Sequence, residues 1–387
     1  MVKIRSATID LIEILLRQGL INPIQTVPYL LALQGDVAAP DIRSKALKLF
    51  IAESEKRPDI MRQRVRAGVK QAYLFQQQVY PKTPPTAIMQ TISEGGGIDV
   101  ECIFDRVFRE SIRSSRVQRQ GLYQSLLGLF EGIGGDSEVS GDSKKSIKAS
   151  KGGPEKLKKQ SFVELLPLLS FSAQVLAHLP YNNIRDPLFI VYFCSSYIVH
   201  GEQLCDRFAD FLRPHGLASE DKFDSFFDSE DDLEKAAKAK KPSKVKAACQ
   251  MSNGDFDLNF FAELCAEGSA LVLLLRLRNF MRSGYNLSEQ RISGYLPVGQ
   301  KETIADKGIS GNIKSCFNAT IISFSDGDKT PNKSISIDAL ILQYAEFRSC
   351  LRKAHIDQDG GHDGGRKRKR NNSSESSDED MENEDDE

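Results

Sequence analysis

Five arginines crowd into fourteen residues: Arg106, Arg109, Arg113, Arg116 and Arg119. The first four are spaced three, four and three apart. On an α-helix with 3.6 residues per turn that spacing predicts one shared face, with Arg119 slightly rotated from it. Asp105 and Glu110 soften the field only in part. A guanidinium is a rigid fork that grips phosphate oxygens through two parallel N–H bonds, so such a face can follow a phosphate backbone. The alternative is a solvated helix face paired with acids of a neighbouring helix. A second basic cluster, Arg62, Arg64, Arg66 and Lys70, contains the subset Arg62, Arg66 and Lys70 at i, i+4, i+8, again one face or plain surface. There is no zinc-finger spacing and no aromatic-studded sheet motif. Any contact with double-stranded DNA is therefore expected with its backbone and not with base edges.

Residues for covalent or metal chemistry are not assembled into motifs. "EGGGID" at 94–99 lacks the Lys-Ser/Thr of a phosphate loop and reads as a turn. No GxSxG elbow, HExxH or kinase signature occurs. The five histidines (178, 200, 215, 355 and 362) are far apart, and His178 and His200 read as ordinary core or surface residues within helices. The seven cysteines are scattered without a CxxC, which fits buried free thiols in a reducing compartment. The expectation is a protein without enzymatic activity, cofactor, metal or small-molecule substrate. No membrane contact is expected either. Arg5, Asp10, Glu13 and Arg17 interrupt any leader-like apolar core. The run "ALVLLL" at 270–275 stops at Arg276 and Arg278, short of the roughly 20 residues of a span, and reads as a buried helix.

The elements that must position the arginines read as helices nearly throughout. In "VKIRSATIDLIEILLRQ" the residues Ile4, Ile9, Leu11, Ile12, Leu15 and Leu16 make a broad apolar face, and Asn22-Pro23 ends the helix. Pro28 suits the first turn of "VPYLLALQ", Gly35 closes it, and Asp41 after Pro40 suits an N-cap for the helix carrying Ile42, Ala46, Leu49 and Phe50. After Arg57-Pro58-Asp59 a long helix runs to Pro81. A connector spans Pro84-Pro85 to Gly95-Gly96-Gly97, and one helical stretch then runs from Val100 to Ile133. Further helices are predicted at 161–179, 187–213, 257–283 and 337–355, and "CFNATIISF" at 316–324 is the best strand. Helix pairs at intervals of roughly 35–50 residues predict an all-α, HEAT-type solenoid, in which each unit buries its inner face only against its neighbours.

The expected organisation is helical repeats over 1–133, a Lys/Ser/Gly-rich flexible insertion over 134–160, helical repeats over 161–227, a charged flexible insertion over 228–255, a helical region over 256–356 and a disordered tail over 357–387. The insertions are lysine-rich and suited at most to weak, salt-sensitive polyanion contact. The net charge of −1 conceals a split: residues 371–387 hold nine acids and no Lys or Arg, which leaves +8 for residues 1–370. Arg366, Lys367, Arg368, Lys369 and Arg370 form a compact basic run of the nuclear-import kind. Ser376 and Ser377 each precede an acid by three residues, as an acidophilic kinase requires.

Several segments, in order, resemble the C-terminal HEAT region of the Nipped-B/adherin family of cohesin loaders. They are "NPIQTVPYLLALQGD" with "IRSKAL", "GVKQAY" at 68–73, "IRSSRVQRQGLYQSLLGLF" at 112–130, "LPYNNIRDPLFIVY" at 179–192 and "LCAEGSALVLLLRLRNFM" at 264–281. The resemblance covers roughly residues 15–215 and 257–300. It implies a nuclear, chromatin-associated, non-enzymatic solenoid that loads cohesin in sister chromatid cohesion by gripping DNA backbone and contacting cohesin subunits. It places Arg113, Arg116 and Arg119 on the family's basic positions. The two insertions have no counterpart in the family pattern, and earlier repeats are absent from this sequence. The reading is therefore of a fragment or short form, whose first helix should carry an apolar flank on its outside. The rival reading is a generic HEAT/armadillo-type adaptor that binds protein and no DNA.

Overall fold

The computed structural model describes residues 2–57, 59–92, 98–112, 115–133, 161–215, 257–295, 313, 315–321 and 337–359. The insertions 134–160 and 228–255 and the tail from 360 lie outside these residues, so Arg366–Arg370, Ser376 and Ser377 do too. The architecture is all-α, a helical solenoid with one two-stranded hairpin as its only sheet among the described residues.

Helix α1 (Val2–Arg17) lies on α3 (Pro40–Lys56), with α2 (Pro23–Ala32) between them in sequence and packed tightly on α4 (Asp59–Val79). Asn22 caps α2: its side-chain oxygen accepts from the Ile24 N–H at 3.0 Å, and Pro23 takes the first helical position, where no N–H is needed. The helix therefore starts five residues before Pro28, which sits inside it rather than in its first turn. Pro40 likewise opens α3, so Asp41 is a first-turn acid and not the cap. Gly68 on α4 lets the α2 backbone approach: a Cβ there would stand 2.4 Å from Leu31 Cδ1. α1 carries two apolar faces. Ile9 and Leu16 are buried, while Ile4 (67% exposed), Leu11 (55%) and Ile14 (51%) line the other side in solvent.

Asp36, fully buried after the 3₁₀ turn that closes α2, joins three of these elements. It accepts from Arg5 Nε at 2.7 Å and Arg5 Nη2 at 3.1 Å, and from the Tyr80 hydroxyl at 2.6 Å. Buried Gln76 donates to the Gly35 and Thr86 carbonyls and accepts from the Thr86 N–H at 2.7 Å. A buried charge and a buried amide are tolerated here because their hydrogen-bonding groups find partners.

The expected connector and helix start differ from the structure between 84 and 105. Strands β1 (Ile88–Ile92) and β2 (Ile98–Cys102) pair antiparallel, with Ile88 opposite Cys102 and Gln90 opposite Val100. The cause is a period of two: Val100 and Cys102 are buried while Asp99 and Glu101 are half-exposed, an alternation that suits a strand and not a helix. Helix α5 (Asp105–Val107) is a single turn and runs into a π-helical turn, Phe108–Ile112. α6 (Arg116–Leu127) starts anew, with Ser115 as an extended N-cap accepting from the Gln118 N–H at 3.4 Å.

α7 (Phe162–His178), α8 (Arg185–Ser196), α9 (Ile198–Leu212) and α12 (Ile337–Asp359) pack around α10 (Leu258–Gly284), and the short α11 (Glu289–Ser293) lies against α8. The stretch expected as one helix over 187–213 is thus two, meeting at Tyr197. α10 is long and apolar enough to cross a membrane, yet it is the centre of this bundle, and residues from Phe261 to Met281 are buried nearly all round. Its Arg278 is 1% exposed and donates to Ser195 Oγ at 2.9 Å and to Glu289 at 3.2 Å. The expected strand at 316–324 does not form within its described part, 316–321. That segment instead lies along α7, where the Phe317 N–H donates to His178 Nε2 at 3.0 Å and Ser170 Oγ donates to the Ala319 carbonyl at 2.7 Å.

Candidate nucleic-acid interface

Arg106 and Arg109 do not share one helix face with Arg116 and Arg119. The π-helical turn Phe108–Ile112 and the fresh start of α6 at its extended N-cap Ser115 separate Arg106 and Arg109 from Arg116 and Arg119, and Arg113 lies outside the described residues. Phe108 and Ile112, the buried residues of the π-helical turn, hold it in place. Phe108 stacks on Tyr123 of α6 with ring centroids 6.5 Å apart and meets Tyr181 edge-on at 6.2 Å. Tyr181 donates to the Leu176 carbonyl at 2.5 Å, and burial lifts the Tyr123 and Tyr181 phenols well above their usual range. Neutral, packed phenols of this kind serve as posts for α5 and α6.

Each arginine has its own electrostatic setting. Arg109 is held bidentate by Asp105, Nε to Oδ2 at 2.7 Å and Nη2 to Oδ1 at 3.2 Å, and this hydrogen bonding raises its pKa against the effect of burial. Arg106 is 58% exposed and has looser partners, Glu110 at 3.7 Å and the Ser44 hydroxyl at 3.5 Å. Arg116 is exposed in the first turn of α6. Arg119 corrects the expectation: it is only 9% exposed and its Nε lies 3.0 Å from Asp186, itself 4% exposed. Burial pushes the Asp186 carboxyl up and Arg119 pulls it down. Arg119 thus ties α6 to α8 and is not available as a surface phosphate contact. Its periodicity pointed outward only if the helix ran unbroken from Val100.

In the second cluster Arg66 and Lys70 are exposed along α4, while the side chain of Arg62 lies outside the described residues. Sequence reasoning missed Arg43. It sits on α3, half-buried, close enough to Arg106 that the two cations disfavour one another. Its pKa is lowered first by burial and then by Arg106, with Glu101 and Asp36 opposing. Nothing local in "PDIRSKAL" announces a neighbour 63 positions away.

Beneath the π-helical turn is an apolar void of about 20 Å³ lined by residues including Leu31, Val69, Phe104 and Leu122. That is room for about one water and offers it no polar partner. Among the described residues no group of three or more metal-ligating side chains comes together.

Comparison with known proteins identifies the family. The Nipped-B C-terminal family model, described as "Sister chromatid cohesion C-terminus", matches residues 1–197, from α1 through α8. Nipped-B-like protein A of Danio rerio is 27% identical over 210 residues, covering 54% of this chain and 7% of that protein. The Nipped-B protein of Drosophila melanogaster is 23% identical over 374 residues, 92% of this chain and 16% of that protein. Nipped-B-like protein scc-2 of Caenorhabditis elegans is 22% identical over 315 residues, 76% of this chain and 12% of that protein. The chain thus spans less than a fifth of the length of the curated relatives it matches. On the family match over half its length, the chain belongs to the Nipped-B family, in its sister chromatid cohesion C-terminal region.

Proposed function

We propose that this chain acts as a non-enzymatic, cohesin-loader-like element in sister chromatid cohesion, a HEAT-type solenoid segment that contacts double-stranded DNA backbone and cohesin complex subunits in the nucleus. The observation that supports the reading most directly is the exposed basic surface at α5 and α6 within the family-matched region, where Arg106 and Arg116 face solvent. Arg109 adds charge at its rim, and Arg66 and Lys70 on α4 offer a further basic strip. The run Arg366–Arg370 serves nuclear import, and phosphorylation of Ser376 and Ser377 adds negative charge to the tail.

One observation favours the protein-only adaptor instead: two arginines of the cluster are matched by the chain's own acids, Arg109 by Asp105 and Arg119 by Asp186. Binding of the purified chain to a duplex of mixed sequence across a salt series separates the readings. The loader reading expects sequence-independent affinity that falls roughly 10³-fold or more between 50 and 200 mM salt if six or more phosphates are engaged. It also expects loss of most binding in the triple variant Arg106→Glu, Arg109→Glu, Arg116→Glu. No binding at low salt overturns it in favour of the adaptor.

A further inference from the structure

We propose that Thr83, in the exposed loop between α4 and β1, is a phosphorylation site for a proline-directed serine/threonine kinase. The proposal is independent of the DNA-binding reading and of the tail serines, which call for a kinase of different specificity.

The loop reads "YPKTPPTA" over residues 80–87. Thr83-Pro84 is one of two Thr-Pro pairs in a chain without a Ser-Pro; the other, Thr330-Pro331, lies outside the described residues. Proline has no N–H. A kinase cleft that leaves the amide after the acceptor without a partner therefore takes proline there with no stranded donor. Proline also biases the residue before it towards extended backbone, the form in which a cleft takes up a peptide.

The fold presents this residue. Pro81, Lys82, Thr83 and Pro84 are exposed, and the Thr83 hydroxyl makes no hydrogen bond among the described residues. Both ends of the loop are fixed to the core. At one end the Tyr80 hydroxyl donates to buried Asp36 at 2.6 Å. At the other, Gln76 Nε2 donates to the Thr86 carbonyl at 3.0 Å and Gln76 Oε1 accepts from the Thr86 N–H at 2.7 Å. Gln174 Oε1 accepts from the Ala87 N–H at 2.9 Å. Between these anchors lie five residues, three of them proline, so little freedom is lost when a cleft takes hold of them. The loop's own turn decides what kind of partner reads it. The Thr83 N–H donates to the Tyr80 carbonyl at 3.0 Å, which closes a β-turn with Pro81 at its second position. Pro81 and Pro84 have the spacing of a proline-rich docking ligand, but that ligand is a continuous polyproline helix without internal hydrogen bonds, and the turn interrupts it.

In the reaction Thr83 Oγ attacks the γ-phosphorus of ATP, the bond to the β–γ bridging oxygen breaks, ADP leaves, and the hydroxyl proton passes to the kinase's catalytic aspartate. The product carries about −1.5 to −2 charge at neutral pH. It stands a β-turn away from the end of α4, whose carbonyls are the negative pole of the helix and whose last turn holds no basic residue. Lys82, next to it in sequence, softens that repulsion only in part. The phosphate therefore loosens the end of α4.

The test treats the full chain with a proline-directed serine/threonine kinase and ATP and maps phosphate by tandem mass spectrometry. Phosphate is expected on Thr83 and should be lost in Pro84→Ala, which keeps the hydroxyl and alters only an exposed side chain. Thr83 modified to the parent level in Pro84→Ala overturns the proline-directed assignment. No phosphate on Thr83 of the folded chain overturns the site; acceptance of a free peptide of residues 78–88 in that case means that the fold hides the loop. A proline-binding module that holds the unmodified chain through this loop, while Thr83 stays bare, assigns docking instead. Hydrogen exchange over residues 76–79 should quicken about two- to fivefold in the modified chain, the range of a helix-end charge interaction, relative to Thr83→Val treated in the same way. Equal rates overturn the loosening of α4.

Discussion

The two ends of the solenoid solve the same burial problem in different ways. In α1–α4 each helix keeps one face wet, and the layers are pinned by polar contacts: Asp36 with Arg5 and Tyr80, and Lys45 with Asp10 and Glu13. Around α10 there is no wet face for most of 27 residues, and four helices close over it. The first end is an open stack, which leaves Ile4, Leu11 and Ile14 in solvent. The second is a closed bundle whose central helix buries Glu267, Ser269 and Arg278, each met by a partner from a neighbouring element: Arg207, Gln343 and Ser195. An open stack can be pinned by a few specific bonds, whereas a closed bundle depends on filled volume.

That contrast can be broken at either end. Asp36→Ala strands Arg5 and should cost about 3–5 kcal/mol, as for removal of one partner from a buried ion pair. Hydrogen exchange should quicken in α1 and α3 and leave α10 protected; equal loss in both would mean the ends do not differ in what holds them. Leu274→Ala, at a fully buried position of α10, should cost about 2–5 kcal/mol through the cavity it leaves, with the largest loss of protection in α7, α9 and α12.

Acid should loosen the second end first. Burial holds the His178 imidazole down at about 4, against an ordinary value of 6.5. Its neutral form is needed to accept from the Phe317 N–H. A depressed folded value means the stabilisation is complete above pH 6.5 and is lost as pH falls towards 4. The span corresponds to about 3 kcal/mol. His178→Gln keeps an acceptor and should flatten the pH dependence of unfolding in that window; an unchanged profile assigns it to other groups. The smallest effect is expected from replacing Ile4, Leu11 and Ile14 together by Ser: within about 0.5 kcal/mol per site, since these side chains are exposed already. A large loss of stability there would show that the outer face of α1 is not free.

Much of this contrast was legible in the sequence. The i, i+3, i+4 stripes of α1, α3 and α4 and the unbroken apolar run of α10 are local patterns, and the helices expected at 161–179 and 257–283 stand within a residue or so of their observed bounds. The basic surface was legible only as composition. Its register depended on one helix continuing through 108–115, and a π-helical turn has no period that distinguishes it from an α-helix over five residues. The strand alternation at 98–102 was overridden by the apolar-rich helix that follows. Arg119 was read from spacing as exposed, but its surroundings are set by Asp186, which lies 67 positions on. Arg43 comes within electrostatic reach of Arg106 through tertiary packing alone.

The π-helical turn at Phe108–Ile112 has a consequence for how this region tolerates length change. A π-turn holds more residues than an α-turn over a similar rise. Loss of one residue between 108 and 112 can therefore be absorbed by relaxation to α-geometry, with the aromatic posts at Tyr123 and Tyr181 left standing. What would change is phase: Arg106 would rotate about its axis relative to Arg116 while both kept their distance from the core. The turn thus acts as a vernier on the angle between two halves of a basic surface, adjustable by single insertions or deletions that elsewhere in a packed helix would unseat an entire face.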